Sequence, residues 1–71
     1  MNTYRLQLKQ YSCIIDFNES NSKYQVYGFT ANGVCGLDVQ SKDFKGLSTA
    51  LFYASEVLAR LNEESEKVNK L

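Results

Sequence analysis

Few side chains in this 71-residue chain could carry out covalent or acid–base chemistry. The sequence contains no histidine, so a serine or cysteine nucleophile activated by histidine is excluded. Acid–base catalysis needs carboxylates that are held close together. Asp16, Glu19, Asp38 and Asp43 are predicted at strand ends and in loops, and their spacing does not bring them together. We therefore expect no catalytic residue and no enzymatic activity.

Cofactor and metal sites are not expected either. The four glycines match neither the phosphate-binding loop nor the dinucleotide-binding pattern. Two thiols, Cys13 and Cys35, together with scattered carboxylates fall short of the four ligands of a zinc site. Both cysteines are most simply small core residues in a reducing compartment. We predict a cytoplasmic protein without cofactor or metal, and without a membrane segment, because no apolar run approaches eighteen residues.

The charge balance disfavours binding to double-stranded nucleic acid. Eight basic and eight acidic residues give a formal net charge of zero. A duplex-binding domain normally carries a basic patch, because neutralisation of phosphates dominates its affinity. No such patch is visible in this sequence.

One amphipathic helix organises the C-terminal half of the chain. Apolar residues recur at intervals of three and four, which is typical of the buried stripe of a helix. These residues are Phe44, Leu47, Leu51, Ala54, Leu58 and Leu61. We predict a helix over about residues 43–68, capped by Ser41 or Asp43, or by Ser48 if Gly46 leaves the first turn frayed.

Three segments upstream of the helix are predicted as strands, at about residues 3–17, 24–31 and 34–40. The apolar positions change parity between Leu8 and Cys13, which requires either a bulge or a turn in that segment. We expect one long bent strand there. The dipeptide Asn32-Gly33 predicts a two-residue hairpin, because a type I′ turn needs positive φ at both positions.

A two-residue loop at Asn32-Gly33 would fix the register of the hairpin, with Val26 opposite Val39. One face of the sheet would then lie under the helix and carry Val26, Gly28, Thr30, Cys35, Leu37 and Val39. The opposite face would carry Tyr27, Phe29, Ala31 and Val34. The predicted fold is α+β: a single domain, residues 1–71, in which a three- or four-stranded antiparallel meander packs against one long C-terminal helix.

Aromatic residues are the main indication of function. Phe52 lies on the far side of the predicted helix from its buried stripe, in a strip of small side chains that comprises Ser48, Ser55, Ala59 and Asn62. Tyr53 lies beside it on the helix flank, and Tyr27 and Phe29 share the uncovered face of the sheet. The predicted interface residues are Phe52, Tyr53, Ala59, Tyr27 and Phe29.

The order of elements resembles the small sheet-and-helix domain of HicB-type antitoxins. The similarity covers the strand at residues 11–17, the polar loop after it, the strand at residues 24–29 and the alanine-containing helix around Ala50 and Ala54. A proline- and glycine-containing segment after the second strand and an appended DNA-binding domain, both expected in that family, are missing. No functional residue is therefore carried over from the resemblance. Small chains of this form are also similar to phage-encoded inhibitors of host defence systems.

The sequence thus predicts a small non-enzymatic protein–protein interaction module. We expect an inhibitor or antitoxin-like blocker that binds a protein target and forms a homodimer. The alternative is a single-stranded nucleic-acid binder in which Tyr27 and Phe29 stack on bases.

Overall fold

The structure is a computed structural model that describes residues 3–34, 37 and 39–69. Its elements, in chain order, are β1 (Thr3–Leu8), β2 (Tyr11–Asn18), β3 (Lys23–Ala31), β4 (Lys42–Phe44) and α1 (Leu47–Asn69). The strands form one antiparallel sheet in the order β1-β2-β3-β4, and α1 packs against one face of it. We call this the inner face and the opposite one the outer face. The predicted α+β architecture, with four strands, is confirmed.

The first predicted strand is two strands. The expectation of one bent strand over residues 3–17 is wrong, because the chain reverses at Lys9 and Gln10 and β1 pairs with β2 in an antiparallel hairpin. Lys9 adopts a φ of 57°, in the left-handed region that a tight reversal requires. The change of apolar parity between Leu8 and Cys13 is therefore caused by a turn and not by a bulge.

A bulge in β3 changes which of its side chains reach the helix. Ser12 pairs with Thr30 and Ile14 pairs with Tyr27, so three steps along β3 oppose two along β2. Gly28 takes up the extra residue with a φ of +68°, a conformation that glycine adopts without steric cost.

Because of this bulge, the predicted face with Gly28 and Thr30 under the helix is wrong. Gly28 is exposed, and the Thr30 hydroxyl lies 2.8 Å from that of Ser12 on the outer face. Phe29 takes the inward position and retains only 5% of its exposure. An extra residue in a strand moves every later side chain to the other face, which is the physical reason for the difference.

The Asn32-Gly33 turn forms as predicted, but among the described residues of the strand predicted after it only Val34 is paired, in a single bridge with Ala31. Ala31 and Val34 exchange both backbone hydrogen bonds, at 3.1 and 3.0 Å, and Asn32 and Gly33 have φ values of 54° and 78°. Beyond this bridge Leu37, Val39 and Gln40 are outside any strand, while positions 35, 36 and 38 lie outside the described residues.

The partner of β3 is instead β4, so the predicted pairing of Val26 with Val39 is wrong: Val26 faces Lys42. Leu37 and Val39 still pack against the core from outside the sheet. Apolar burial can thus be satisfied without strand pairing, and this explains why the hydrophobic pattern alone misplaced the strand.

The helix begins later than predicted, at Leu47. The carbonyl oxygen of Gly46 accepts the hydrogen bond of the Ala50 N–H group at 3.1 Å, which places Gly46 at the N-cap. Asp43 belongs to β4, so the predicted caps at Ser41, Asp43 and Ser48 are wrong.

The core lies between the inner face and one stripe of α1. Its buried apolar members are Cys13, Ile15, Val26, Phe29, Ala50, Ala54 and Leu58. The two alanines allow the helix backbone to approach the sheet closely, since they place no bulk between the layers. Asn62 continues the same row of the helix and is also buried; its amide donates to the carbonyl oxygen of Leu8 at 3.0 Å and to that of Leu58 at 2.9 Å. The predicted position of Asn62 in the outward strip is therefore wrong.

Candidate protein-contact surface

Phe52 is the large side chain that α1 turns to solvent. It is 65% exposed, and Ser48, Ser55 and Ala59 around it are exposed as well. The Ser55 hydroxyl donates to the carbonyl oxygen of Leu51 at 2.8 Å, so it is engaged with its own helix. The predicted exposure of Phe52 within a strip of small residues is confirmed. Its role in an interface stays a prediction.

One spacing and one contact show where this surface lies on the molecule. Phe52, Ala59 and Glu66 recur at intervals of seven residues, about two helical turns, and therefore follow one side of α1. The ammonium group of Lys9, at the end of β1, lies 2.7 Å from a carboxylate oxygen of Glu66. The Glu66 end of the row thus lies near the β1–β2 turn, whereas Phe52 lies opposite the buried stripe and points away from the sheet. We call Phe52, Ala59 and Glu66 the outer row.

Tyr53 belongs to the opposite flank of the helix. Its ring centroid lies 5.0 Å from that of Phe44 in β4, and the Lys42 ammonium lies 5.3 Å from the Tyr53 centroid. Contacts of this kind between a cation and an aromatic face are attractive. Tyr53 is half-buried here, so its position is explained by packing within the chain, and it does not extend the surface around Phe52.

The two aromatics predicted on the open sheet face are separated by the bulge. Phe29 points into the core, so the expectation that it shares an uncovered face with Tyr27 is wrong. Tyr27 remains on the outer face, half-buried, and its hydroxyl donates to a carboxylate oxygen of Asp16 at 2.6 Å. A paired stacking platform of Tyr27 and Phe29 is therefore not formed.

Asp16 is the centre of a small polar cluster on the outer face. Its carboxylate accepts hydrogen bonds from the Thr3 hydroxyl and from the Tyr27 hydroxyl. These bonds favour the charged form and hold the pKa of Asp16 below its ordinary value of 3.8, with the Thr3 bond the larger cause. The hydrogen bond to Asp16 is the main cause that raises the pKa of Tyr27 above 10.0, followed by the burial of Tyr27 and then by charge repulsion from the Asp16 carboxylate. The cluster joins β1, β2 and β3 and is explained as a structural contact.

Cys13 is a core residue, as the sequence predicts, whereas Cys35 lies outside the described residues. The Cys13 side chain is fully buried, and burial raises the pKa of its thiol from 9.0 to about 11. At neutral pH the thiol is therefore protonated, which makes it a weak nucleophile.

Other reactive arrangements are not present in the part of the chain that the structure describes. Among these residues no group of three or more cysteine or acidic side chains converges to hold a metal ion. Every buried side-chain nitrogen and oxygen in the described residues has a hydrogen-bond partner. Within the same residues no helix is long and apolar enough to cross a membrane.

The sequence analysis overlooked an exposed apolar edge at β1. The alternation of Tyr4, Leu6 and Leu8 predicts a half-buried strand, yet Tyr4 and Leu8 are 40% and 41% exposed. Both belong to the inner face, because they pair with Ile15 and Tyr11. Their exposure follows from the position of β1 at the margin of the sheet. The first strand of a meander is an edge strand by default, and this signal was available in the sequence.

Comparison of the chain with protein-family models, with curated proteins and with solved structures gave no match. The resemblance to HicB-type antitoxins thus stays a prediction. Function must be argued from the geometry of this chain.

Proposed function

We propose that this protein is a small non-enzymatic binding module that acts on a protein target through the outer row of α1. The observation that carries the proposal is the 65% exposure of Phe52 on a helix whose opposite side is packed into the core. A module of this kind acts by occupying a surface of its target, so we propose an inhibitor or blocker. The cytoplasmic location and the homodimeric state are parts of the same proposal.

The surroundings of Phe52 suit a protein contact. The side chain extends from the middle of a regular helix, so little backbone entropy is lost when it is held in a pocket. Ser48, Ser55 and Ala59 leave room for a partner to enclose the ring. Aromatic anchors in such settings typically lose about 2 kcal/mol or more of binding free energy when they are truncated to alanine.

The alternative function, binding of single-stranded nucleic acid, has lost its main support. It required two aromatic side chains at alternate positions on an open face. Phe29 is in the core, and the Tyr27 hydroxyl is held by the negatively charged Asp16, which would repel a phosphate backbone. We therefore propose the protein target alone.

The test is a capture experiment with immobilised protein and extract of the source cells, in which wild type is compared with Phe52→Asp. Arg60→Gln is the matched control, because it makes the same change of net charge at an exposed residue of α1 that lies about two turns from Phe52 and outside the outer row. We expect wild type and Arg60→Gln to retain the same protein and Phe52→Asp to lose it. The activity of the retained protein, assayed with and without the module, then tests inhibition. Equal capture by all three proteins would contradict the proposal.

A further inference from the structure

The two margins of the sheet differ in how well they are protected against pairing with another strand. At one margin β4 is three residues long, and two of these residues, Lys42 and Asp43, are charged. At the other margin β1 has six residues, of which only Arg5 is charged, and the whole chain contains no proline. Among the described residues β1 pairs with β2 alone. Short length, charge and proline are the usual protections of an edge strand, and β1 lacks most of them.

We propose that a second copy of this chain covers this edge, by antiparallel pairing of the two β1 strands with Leu6 opposite Leu6 of the second copy. The inference deepens the homodimeric part of the proposed function and is independent of its target-binding part. The product is a continuous eight-stranded sheet with a two-fold axis between the two β1 strands.

The direction of the backbone groups in β1 follows from the turn that ends it. Leu8 and Tyr11 flank a two-residue loop, so they exchange both backbone hydrogen bonds, as Ala31 and Val34 do across the equivalent turn. Hydrogen-bonded positions alternate along an antiparallel pair. Tyr4, Leu6 and Leu8 therefore bond to β2, and the N–H and C=O groups of Thr3, Arg5 and Gln7 point to the open edge.

This alternation restricts how two β1 strands can pair. Residues with outward-pointing groups must face one another, so an odd-numbered residue of one copy faces an odd-numbered residue of the other. Directly opposed residues lie on the same face of a sheet. The inner faces of the two copies are therefore continuous, and both α1 helices lie on the same side of the combined sheet.

Charge selects between the registers that keep most of β1 paired. Centring on Arg5 or on Leu6 pairs five of the six β1 residues, whereas centring on Tyr4 or on Gln7 pairs three. Centring on Arg5 places two arginines opposite each other, and centring on Gln7 also places Arg5 opposite Lys9. Like charges at directly opposed positions destabilise a strand pair. Centring on Leu6 places Arg5 opposite Gln7 and avoids both conflicts.

The Leu6-centred register also covers the exposed apolar side chains of the edge. Tyr4 of each copy faces Leu8 of the other, and both are two-fifths exposed in the single chain. These positions are not hydrogen-bonded to each other, and in such pairs the side chains approach most closely. The same alignment thus pairs the outward-pointing backbone groups with hydrogen bonds and covers the exposed apolar side chains.

The two helices do not have to pack directly. The two β2 strands, under the helices, are separated by three strand spacings, roughly 14 Å, whereas packed helices are about 8–10 Å apart. Tyr4, Leu6 and Leu8 of both copies form the floor of the cleft between them. Phe52 lies on the side of each helix that faces away from the combined sheet, so the pairing leaves it available to a target.

The decisive experiment is a pair of charge substitutions at Gln7, with dimer affinity measured by sedimentation at low ionic strength. In the proposed register residue 7 of each copy faces Arg5 of the other. Gln7→Glu should therefore strengthen the dimer and Gln7→Lys should weaken it, each by about three- to tenfold in Kd, since two exposed charge pairs change. Gln7→Glu removes the hydrogen bond from the Gln7 amide to the Lys9 carbonyl, whereas a lysine at this position keeps a donor, so the uncharged Gln7→Met, which also lacks the bond, is the reference for both.

Alternative registers give different results. With Gln7 opposite Gln7, both substitutions would weaken the dimer, because each creates a pair of like charges. With Arg5 opposite Arg5, residue 7 would face Thr3 and neither substitution would matter. Either result would overturn the proposed register.

Arg5→Pro tests the pairing itself. Residue 5 directs its N–H group to the open edge, so proline there removes a donor between the copies and leaves the bonds to β2 in place. We expect a folded monomer by circular dichroism and sedimentation, while Arg5→Ala stays a dimer. A monomeric wild type at high concentration, or a dimer that Phe52→Asp dissociates and Arg5→Pro does not, would overturn the inference. If Phe52→Asp loses target capture but stays a dimer, target binding and dimer formation use different surfaces, as the two proposals require.

Discussion

Replacement of Gly28 by alanine tests the bulge on which the arrangement of β3 depends. Gly28 has a φ of +68°, a conformation that costs an L-residue about 1–2 kcal/mol. An added Cβ would lie 3.4 Å from Cδ1 of Ile14, an ordinary contact with the mobile end of a half-buried side chain. We therefore expect Gly28→Ala to lower the free energy of unfolding by about 1–2 kcal/mol, nearly all of it from the backbone.

The measurement is urea unfolding, supported by thermal melting. For a domain of this size, 1 kcal/mol corresponds to roughly 4–8 °C in Tm, so we expect a decrease of about 5–15 °C. Gly33→Ala is the matched control. Gly33 has a φ of +78°, and no atom lies within 4 Å of an added Cβ. The stability lost by Gly33→Ala therefore reports the cost of the left-handed backbone alone. The two losses should agree within a few tenths of a kcal/mol.

Gly28→Asn separates backbone conformation from crowding. Asparagine is larger than alanine but adopts left-handed conformations more readily. If the backbone decides the cost, Gly28→Asn is less destabilised than Gly28→Ala; if crowding against Ile14 decides it, the order is reversed. A neutral or stabilising effect of Gly28→Ala would refute the bulge and would return Phe29 to the open face.

Three further predictions follow from individual side chains. Phe29→Ala should lose about 3–5 kcal/mol, enough to unfold a domain of this size, whereas Tyr27→Ala should leave it folded by circular dichroism; equal losses would contradict their placement on opposite faces. The hydrogen bonds that Asp16 accepts depress its pKa below 3.8 in the folded protein. The contribution of Asp16 to stability is therefore complete above that pH, and it is lost as the pH falls through the lower pKa of the folded state. Urea unfolding should thus show Asp16→Asn to be less stable than wild type near about pH 7, with the difference shrinking toward about pH 2, and a difference that grew on acidification would refute the assignment. In a Cys35→Ser background, Cys13 should react with a thiol reagent only as fast as the protein opens, because it is fully buried with a pKa raised to about 11; rapid reaction in the absence of denaturant would show that it is accessible.

The sequence could predict the helix and the fold class because those depend on long, regular patterns. The apolar stripe of α1, from Leu47 to Leu61, extends over about four turns, and one or two exceptions do not obscure it. The exposure of Phe52 follows from the same geometry, as the residue lies opposite the stripe. The turn at Asn32-Gly33 was predictable for a different reason, since few residues other than asparagine and glycine adopt its backbone conformation.

The register of β3 could not be predicted in the same way. A strand repeats every two residues, so one additional residue exchanges its faces, and the alternation before and after Gly28 is equally regular. The start of the helix was missed for a related reason. Gly46 acts as the cap through its carbonyl oxygen and offers no side-chain signal. The burial of Asn62 was hidden because its partner is a backbone carbonyl of Leu8, far away in the sequence.

The bulge at Gly28 also determines which surfaces of the molecule are available for recognition. By placing Phe29 in the core it leaves the outer face of the sheet with mainly polar side chains beside the half-buried Ile14, and the hydroxyl groups of Ser12, Thr30 and Tyr27 there are paired with one another or with Asp16. A surface whose polar groups are already satisfied gains little from a partner, because new contacts must replace existing ones. The exposed apolar side chains of the described sheet edge and helix are instead Tyr4 and Leu8 on β1 and Phe52 on the side of α1 that faces away from the sheet. Self-association through the backbone of β1 uses the first two and leaves Phe52 exposed, so that the molecule accommodates both a second copy and a target.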